Sequence, residues 1–302
     1  MKITTWIEFN SLMGEVEDER SNPTRTSDIH LPPVPTPVDF ALSLGFHPNP
    51  HQAEVLNSIV PRGILNCSRQ WGKSTVTAIK AVHRAYHHPG SLVLVVAPSG
   101  RQSATFVEKA SQFLHKLNIK PRGDGHNDIS LKFPNGSRII GIPAVDATIR
   151  GYSGVSLLII DEASRVDDKI YHTVRPMLAA TELTNSHPGF PVTPELWLIS
   201  TPFGCRGFFY EEFRRYDSNP PWTRFTFPAS QCPHISPAFL EEERATMPGP
   251  EFRQEYECEF VREGNNSFFR YQDLEFALTD KFHPIFPGLT IDSWIARGRP
   301  PR

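Results

Sequence analysis

Apolar and polar positions follow two different periods along this chain, and the changes of period mark out its elements. Residues 91–97 (SLVLVVA) and 155–160 (VSLLII) are unbroken apolar runs of strand length, as expected of parallel strands buried on both faces. Residues 195–200 (ELWLIS) read the same way, and 63–66 (GILN) form a shorter run of the same kind. Between them lie helical patterns over 74–87, 101–117 and 170–180. Strands alternating with helices predict an α/β fold, a parallel sheet with helices on both faces. Within 128–142 (DISLKFPNGSRIIGI), Asn135-Gly136 between two alternating runs predicts a hairpin. After Phe260 the chain turns polar and irregular and ends in the basic stretch ARGRPPR.

Punctuation then sets the organisation. Pro23, Pro32, Pro33, Pro35 and Pro37 make 21–37 an extended linker. The predicted organisation is an N-terminal extension and linker over 1–37, a principal domain over 38–260 and a C-terminal segment over 261–302. With 302 residues, 39% apolar and 21% charged, the composition suits one large soluble α/β domain. No run nears the roughly 18 apolar residues of a membrane span, and the first twenty residues lack the apolar core of a secretory signal. Cys67, Cys205, Cys232 and Cys258 show no C-x-x-C spacing, which points to reduced thiols in a cytoplasmic setting and away from structural zinc. A net charge of −2 neither requires nor excludes nucleic acid, because one local basic face is enough to bind it.

The chemistry lies where the strands end. The short run at 63–66 leads through Cys67, Ser68, Arg69, Gln70 and Trp71 into Gly72-Lys73-Ser74-Thr75 and then a helix. That strand, loop and helix order is the context of a phosphate-binding P-loop. Backbone N–H groups cradle the phosphates, Lys73 reaches the β/γ oxygens and Ser74 holds Mg²⁺. Cys67 stands where the usual pattern has its first glycine. In LLIIDEAS, Asp161 and Glu162 follow a buried strand at the ligand-binding edge of such a sheet. Asp161 is expected to hold Mg²⁺, and Glu162 to orient or deprotonate the attacking water. Ser200 and Thr201, at the tip of LISTPFG, are candidates to sense the γ-phosphate and pass the nucleotide state onward. Upstream, in GFHPNPHQAEVL, Phe46 and Gln52 suit adenine, by stacking and by pairing with N6 and N7; Gln52 equally suits a helix cap.

With these residues in order, the chain resembles the N-terminal ATPase domain of the large terminase subunit of tailed bacteriophages, over roughly 40–277. The resemblance rests on S-R-Q-x-G-K-S at 68–74, APSGRQSATF at 97–106, IRGYSG at 149–154, STPFGCRGFFYEEF at 200–213 and FRQEYECEF at 252–260. It implies a P-loop NTPase of the RecA-like kind using ATP and Mg²⁺. It further implies a homo-oligomeric ring on a portal protein, assisted by a small terminase subunit, driving double-stranded DNA into a procapsid in the host cytoplasm. By the same resemblance, residues 68–75 bind nucleotide, Arg69 contacts phosphates in its own subunit, and Arg150 is the arginine finger offered to the neighbouring ATP. Such subunits normally continue into a metal-dependent nuclease. Only Asp280 and Asp292 are available near the end here, so no nuclease activity is expected. The alternative reading is a helicase-like or repair ATPase, which needs a second motor domain. Arg206, Arg214 and Arg215 are basic, but no pattern assigns them to DNA.

Overall fold

The computed structural model describes residues 34–145, 149, 151–179 and 193–262. Its strands are β1 (Arg62–Cys67), β2 (Leu92–Ala97), β3 (Ser130–Lys132), β4 (Arg138–Pro143), β5 (Val155–Asp161), β6 (Glu195–Ser200) and β7 (Thr223–Phe227). They form a seven-stranded sheet of order β3-β4-β2-β5-β6-β1-β7. Every neighbouring pair is parallel except β3 with β4, where Leu131 faces Ile139 in the hairpin expected from Asn135-Gly136. Gly136 turns that hairpin at φ +83°, in the left-handed region that favours glycine.

The helices are α1 (Pro37–Ser43), α2 (Pro50–Asn57), α3 (Lys73–His87), α4 (Gly100–Lys116), α5 (Asp168–Val174), α6 (Gly207–Arg214), α7 (Pro237–Thr246) and α8 (Gly249–Tyr256). Alternate strand residues feed two cores, as strand geometry requires. Leu65, Val93, Val95, Ile159 and Trp197 pack with residues of α1 to α4 and α8 on one face. Ile64, Leu94, Val96, Ile160 and Leu198 pack with residues of α5 and α6 on the other. The α/β arrangement read from the sequence is therefore the observed one. Among the described residues no helix is long and apolar enough to cross a membrane.

Two boundaries need correction. Pro37, assigned to the linker, opens α1, with the Thr36 side chain accepting from the Asp39 N–H. Proline has no N–H to lose at a helix start, so it begins this helix instead of breaking the chain. The pattern at 170–180 is helical only to Val174, after which Pro176 forces a 3₁₀ turn over Arg175–Leu178. The linker to residue 33, Arg150, Asp280 and Asp292 lie outside the described residues.

Candidate nucleotide site

Three strand ends and one helix start converge at the carboxyl edge of the sheet. β1 and β6 run side by side with Asn66 opposite Ser200, and β5 and β6 with Asp161 opposite Ile199. Gly72 ends the loop after β1 at φ +95° and caps α3 without any side-chain hydrogen bond. The first-turn N–H groups of a helix have no intrahelical acceptor, and together with the helix dipole they form a ready anion site.

The loop is held from behind. Trp71 is buried and stacks on Phe227, with ring centroids 5.2 Å apart and planes 7° apart. Ser68 is also buried, its N–H donating to the Phe227 carbonyl (3.1 Å) and its hydroxyl lying 3.8 Å from the Cys232 thiol. Both were expected to bind nucleotide, and here their side chains serve as the loop's anchors in the core. Gln70 adopts φ +59°, and its carbonyl lies 2.7 Å from His234 Nε2. Gln52 realises the capping reading: its Oε1 accepts from the Asn49 N–H (3.1 Å) and its Nε2 donates to the Trp71 carbonyl (3.0 Å). A β-carbon at Gly72 would sit 3.1 Å from that same Nε2, a tight contact added to the strain of a side chain at φ +95°.

The charged groups meet in front of the loop. Lys73 Nζ lies 3.1 Å from Glu162 Oε1, and the Ser74 hydroxyl donates to Asp161 Oδ2 at 3.3 Å. Burial, with Glu162 beside it, pushes the Asp161 carboxyl up to about 6. Burial disfavours the Lys73 ammonium, but Glu162, Cys67 and Asp161 together outweigh it and hold its pKa above the ordinary value. Glu162 takes the left-handed conformation (φ +50°), and its N–H donates to Asp161 Oδ1 at 3.0 Å. A non-glycine residue held there is strained, as functional residues often are.

Sequence reasoning missed the groups that tie these parts together. Ser164, just after the acid pair, donates its N–H to the Ser200 hydroxyl (3.2 Å), and the two hydroxyls lie 2.7 Å apart. Its hydroxyl also donates to the Thr201 carbonyl at 2.9 Å. The tip of β6 is thereby joined to the turn carrying Glu162. Glu255 on α8 accepts from Arg69 at 2.8 and 3.4 Å and lies 3.7 Å from Arg165. Its neighbour Gln254 accepts from the Gly204 N–H at 2.9 Å, so α8 holds the phosphate loop and the segment after β6 together. Only the position of Ser164 beside the acid pair could have flagged any of these from sequence.

The arrangement defines the class: an α/β fold of the P-loop type, with the glycine, lysine and hydroxyl of the loop facing two acids at the end of β5, one strand removed from β1 in the sheet. The chain belongs to the family described as terminase large subunit, T4likevirus-type, N-terminal, whose model matches residues 64–276. The large terminase subunit of Escherichia phage T5 is 27% identical over 226 residues, covering 72% of this chain and 48% of that protein. The large terminase ATPase domain of Thermus phage P74-26 superposes with a TM-score of 0.61 at 23% identity, covering 74% of this chain and 98% of that one. The large terminase of a thermophilic bacteriophage, solved in complex with ADP, superposes at 0.54 with 12% identity, covering 67% and 48% of the two chains. The chain thus spans about half the length of the curated relatives it matches.

Proposed function

We propose that this domain binds and hydrolyses ATP and serves as the motor that drives double-stranded DNA into a viral procapsid. The observation that carries the reading is the pairing of Lys73 with Glu162 and of Ser74 with Asp161 in front of an uncapped helix start. An uncapped helix N-terminus beside a half-buried cation is built to receive phosphate. Family membership and the ADP complex of the thermophilic phage relative support the same reading.

Each residue then has a physical role. The Lys73 ammonium is held charged by surrounding carboxylates and is available to the β/γ oxygens. The Ser74 hydroxyl and Asp161 carboxylate place two hard oxygens side by side, the donor set that suits Mg²⁺. When bound there, Mg²⁺ supplies charge neutralisation on the phosphate oxygens. Glu162 is the proton acceptor for the attacking water. Its carboxylate is paired with Lys73, so phosphate that draws Lys73 away releases Glu162 for catalysis. Ser164 transmits the position of that turn to Ser200 and Thr201. Arg69 contacts phosphate by leaving Glu255, and Arg150 completes a neighbouring site in a homo-oligomeric ring docked on a portal protein. Gln70 and Thr75 contribute through the loop backbone and the first turn of α3.

The test is ATP turnover by the purified chain, with and without duplex DNA. DNA-stimulated turnover that Lys73→Ala abolishes, by roughly a hundred-fold or more, is the expected result given the electrostatic weight of such a group. Equal turnover by Lys73→Ala and the parent would overturn the site.

A further inference from the structure

Glu255 on α8 is a buried acid served by two cations. Its side chain is 6% exposed, whereas those of Arg69 and Arg165 are 58% and 42% exposed. Arg69 donates through Nε to Oε2 and through Nη2 to Oε1, and Arg165 Nη2 stands 3.7 Å from that same Oε1. One oxygen is therefore addressed by both guanidiniums, and Arg69 holds it by the closer, two-pronged contact, the strong form of such a pair. Nearby arginines of α7 and α8 are engaged elsewhere, Arg244 with Glu257 at 2.7 Å and Arg253 with Glu259 at 3.6 Å. Among the described residues, Arg69 and Arg165 are the cations paired with Glu255.

The two arginines belong to different parts of the site. Arg69 lies in the phosphate loop, and its backbone N–H donates to the Glu255 carbonyl at 3.1 Å. That bond ties the loop to α8 whichever way the guanidinium turns. Arg165 closes the turn that carries the acid pair, its N–H donating to the Glu162 carbonyl at 2.9 Å. Its guanidinium lies 4.1 Å over the Phe203 ring, in the segment after β6, with Arg206 5.4 Å from the same ring. A guanidinium is a planar fork of N–H donors, so Arg165 can keep that ring face and still donate to a carboxylate at its edge.

A buried carboxylate stripped of its cation is strongly destabilising. Arg69 can therefore turn to phosphate only where another cation takes Glu255. On the ATP-hydrolysis reading above, we infer that Arg165 is that cation, a positioning residue that takes over Glu255 as nucleotide draws Arg69 away. The exchange needs only the Arg165–Glu255 distance to shorten from 3.7 Å to hydrogen-bond length. Because Arg165 ends the 3₁₀ turn that follows Glu162 and lies over Phe203, occupancy of the phosphate loop is registered in two places. One is the turn of the acid pair, and the other is the segment after β6.

The experiment measures equilibrium ATP binding and steady-state hydrolysis on the full chain for the parent, Arg165→Gln, Arg165→Lys, Glu255→Gln and Arg165→Gln/Glu255→Gln. Arg165→Gln is expected to raise the Kd and KM for ATP by about ten-fold, the worth of one hydrogen bond between charged groups, with kcat lowered by less. Arg165→Lys keeps the charge and is expected to recover most of that loss. Glu255→Gln removes the carboxylate that needs a cation, so adding Arg165→Gln to it is expected to change the Kd by less than about two-fold. An equal rise in both backgrounds would overturn the inference, because Arg165 would then act independently of Glu255. Equal Kd in the parent and Arg165→Gln would overturn it too, as would a fall in kcat with Kd unchanged. Should Arg165→Gln not fold, Arg165→Met, which keeps a long stem against Phe203, is expected to show the same rise, and its absence would overturn the inference. A parent that binds ATP without hydrolysing it removes the hydrolysis reading, and the Kd shifts still decide the exchange. One that hydrolyses ATP with a Kd insensitive to Arg165 removes the exchange alone, and one that binds no ATP removes both.

Discussion

Helix α3 carries two lysines with acids beside them, Lys80 buried and Lys73 half-buried, and its surroundings treat them in opposite ways. Lys80 Nζ donates to the carbonyls of Ser58 (2.6 Å) and Leu56 (3.3 Å), lies 3.8 Å from Glu195, and sits 4.7 Å over the Trp197 ring. Burial lowers its pKa to about 8, and every direction around the ammonium is taken. Lys73, two turns earlier, faces Glu162 and the Asp161–Ser74 pair beside a helix start with no side-chain cap. Charge and a carboxylate close by are common to both, so neither marks function. The difference is completeness: the Lys80 site is closed by its own chain, whereas the phosphate-loop site leaves backbone donors facing a lysine and two acids.

The comparison is broken most severely at the closed site. Glu195 serves Arg84 and Lys80 and accepts from Trp197 Nε1 at 2.9 Å. Glu195→Ala leaves two buried cations without their acid and is expected to cost about 3–5 kcal/mol, read as a lowered urea midpoint, with ATP turnover per folded molecule retained. A midpoint within error of the parent would show that Lys80 and Arg84 do not depend on it. Gln52 sits between the two regions and sharpens the contrast. Gln52→Ala removes two hydrogen bonds, an expected loss of about 1–2 kcal/mol, and should raise the KM for ATP and GTP alike. A changed ATP:GTP preference would instead place the amide at the base.

The far end of the same helix is read with pH. Burial lowers His83 to about 4, His87 to about 3 and His88 to about 4, all on or beside the last turns of α3. The unfolded chain protonates these near 6.5, before the folded one does. Their contribution is therefore complete above about pH 6.5 and is lost as the pH falls from there towards about 3. Urea midpoints should decline over that window, and His83→Gln should flatten the decline.

What could be read in the sequence was local. β6 lies where its apolar run placed it, and β5 runs one residue further, through Asp161. Gly72, Lys73, Ser74, Asp161 and Glu162 are legible because short spacings on a strand, loop and helix carry them. β7 was missed because TRFTF, at the sheet edge, places polar residues among its aromatics. Helix α7 has no buried residue, hence no apolar stripe to read. Ser164 with Ser200, Glu255 with Arg69 and Gln254 with Gly204 were hidden for a different reason: each pair is joined only by the fold. Trp71 and Ser68 were assigned to nucleotide by their place in the loop, although burial turns their side chains into the core.

The central claim is that the open end of α3 is a hydrolytic site whose proton acceptor is Glu162. The most direct measurement compares Glu162→Gln with the parent in ATP binding and steady-state hydrolysis on the same preparation. The amide keeps the shape of the side chain but cannot accept the water's proton. Binding within a few-fold of the parent with turnover lower by about a hundred-fold or more is the expected result. Hydrolysis at the parent rate would contradict the account.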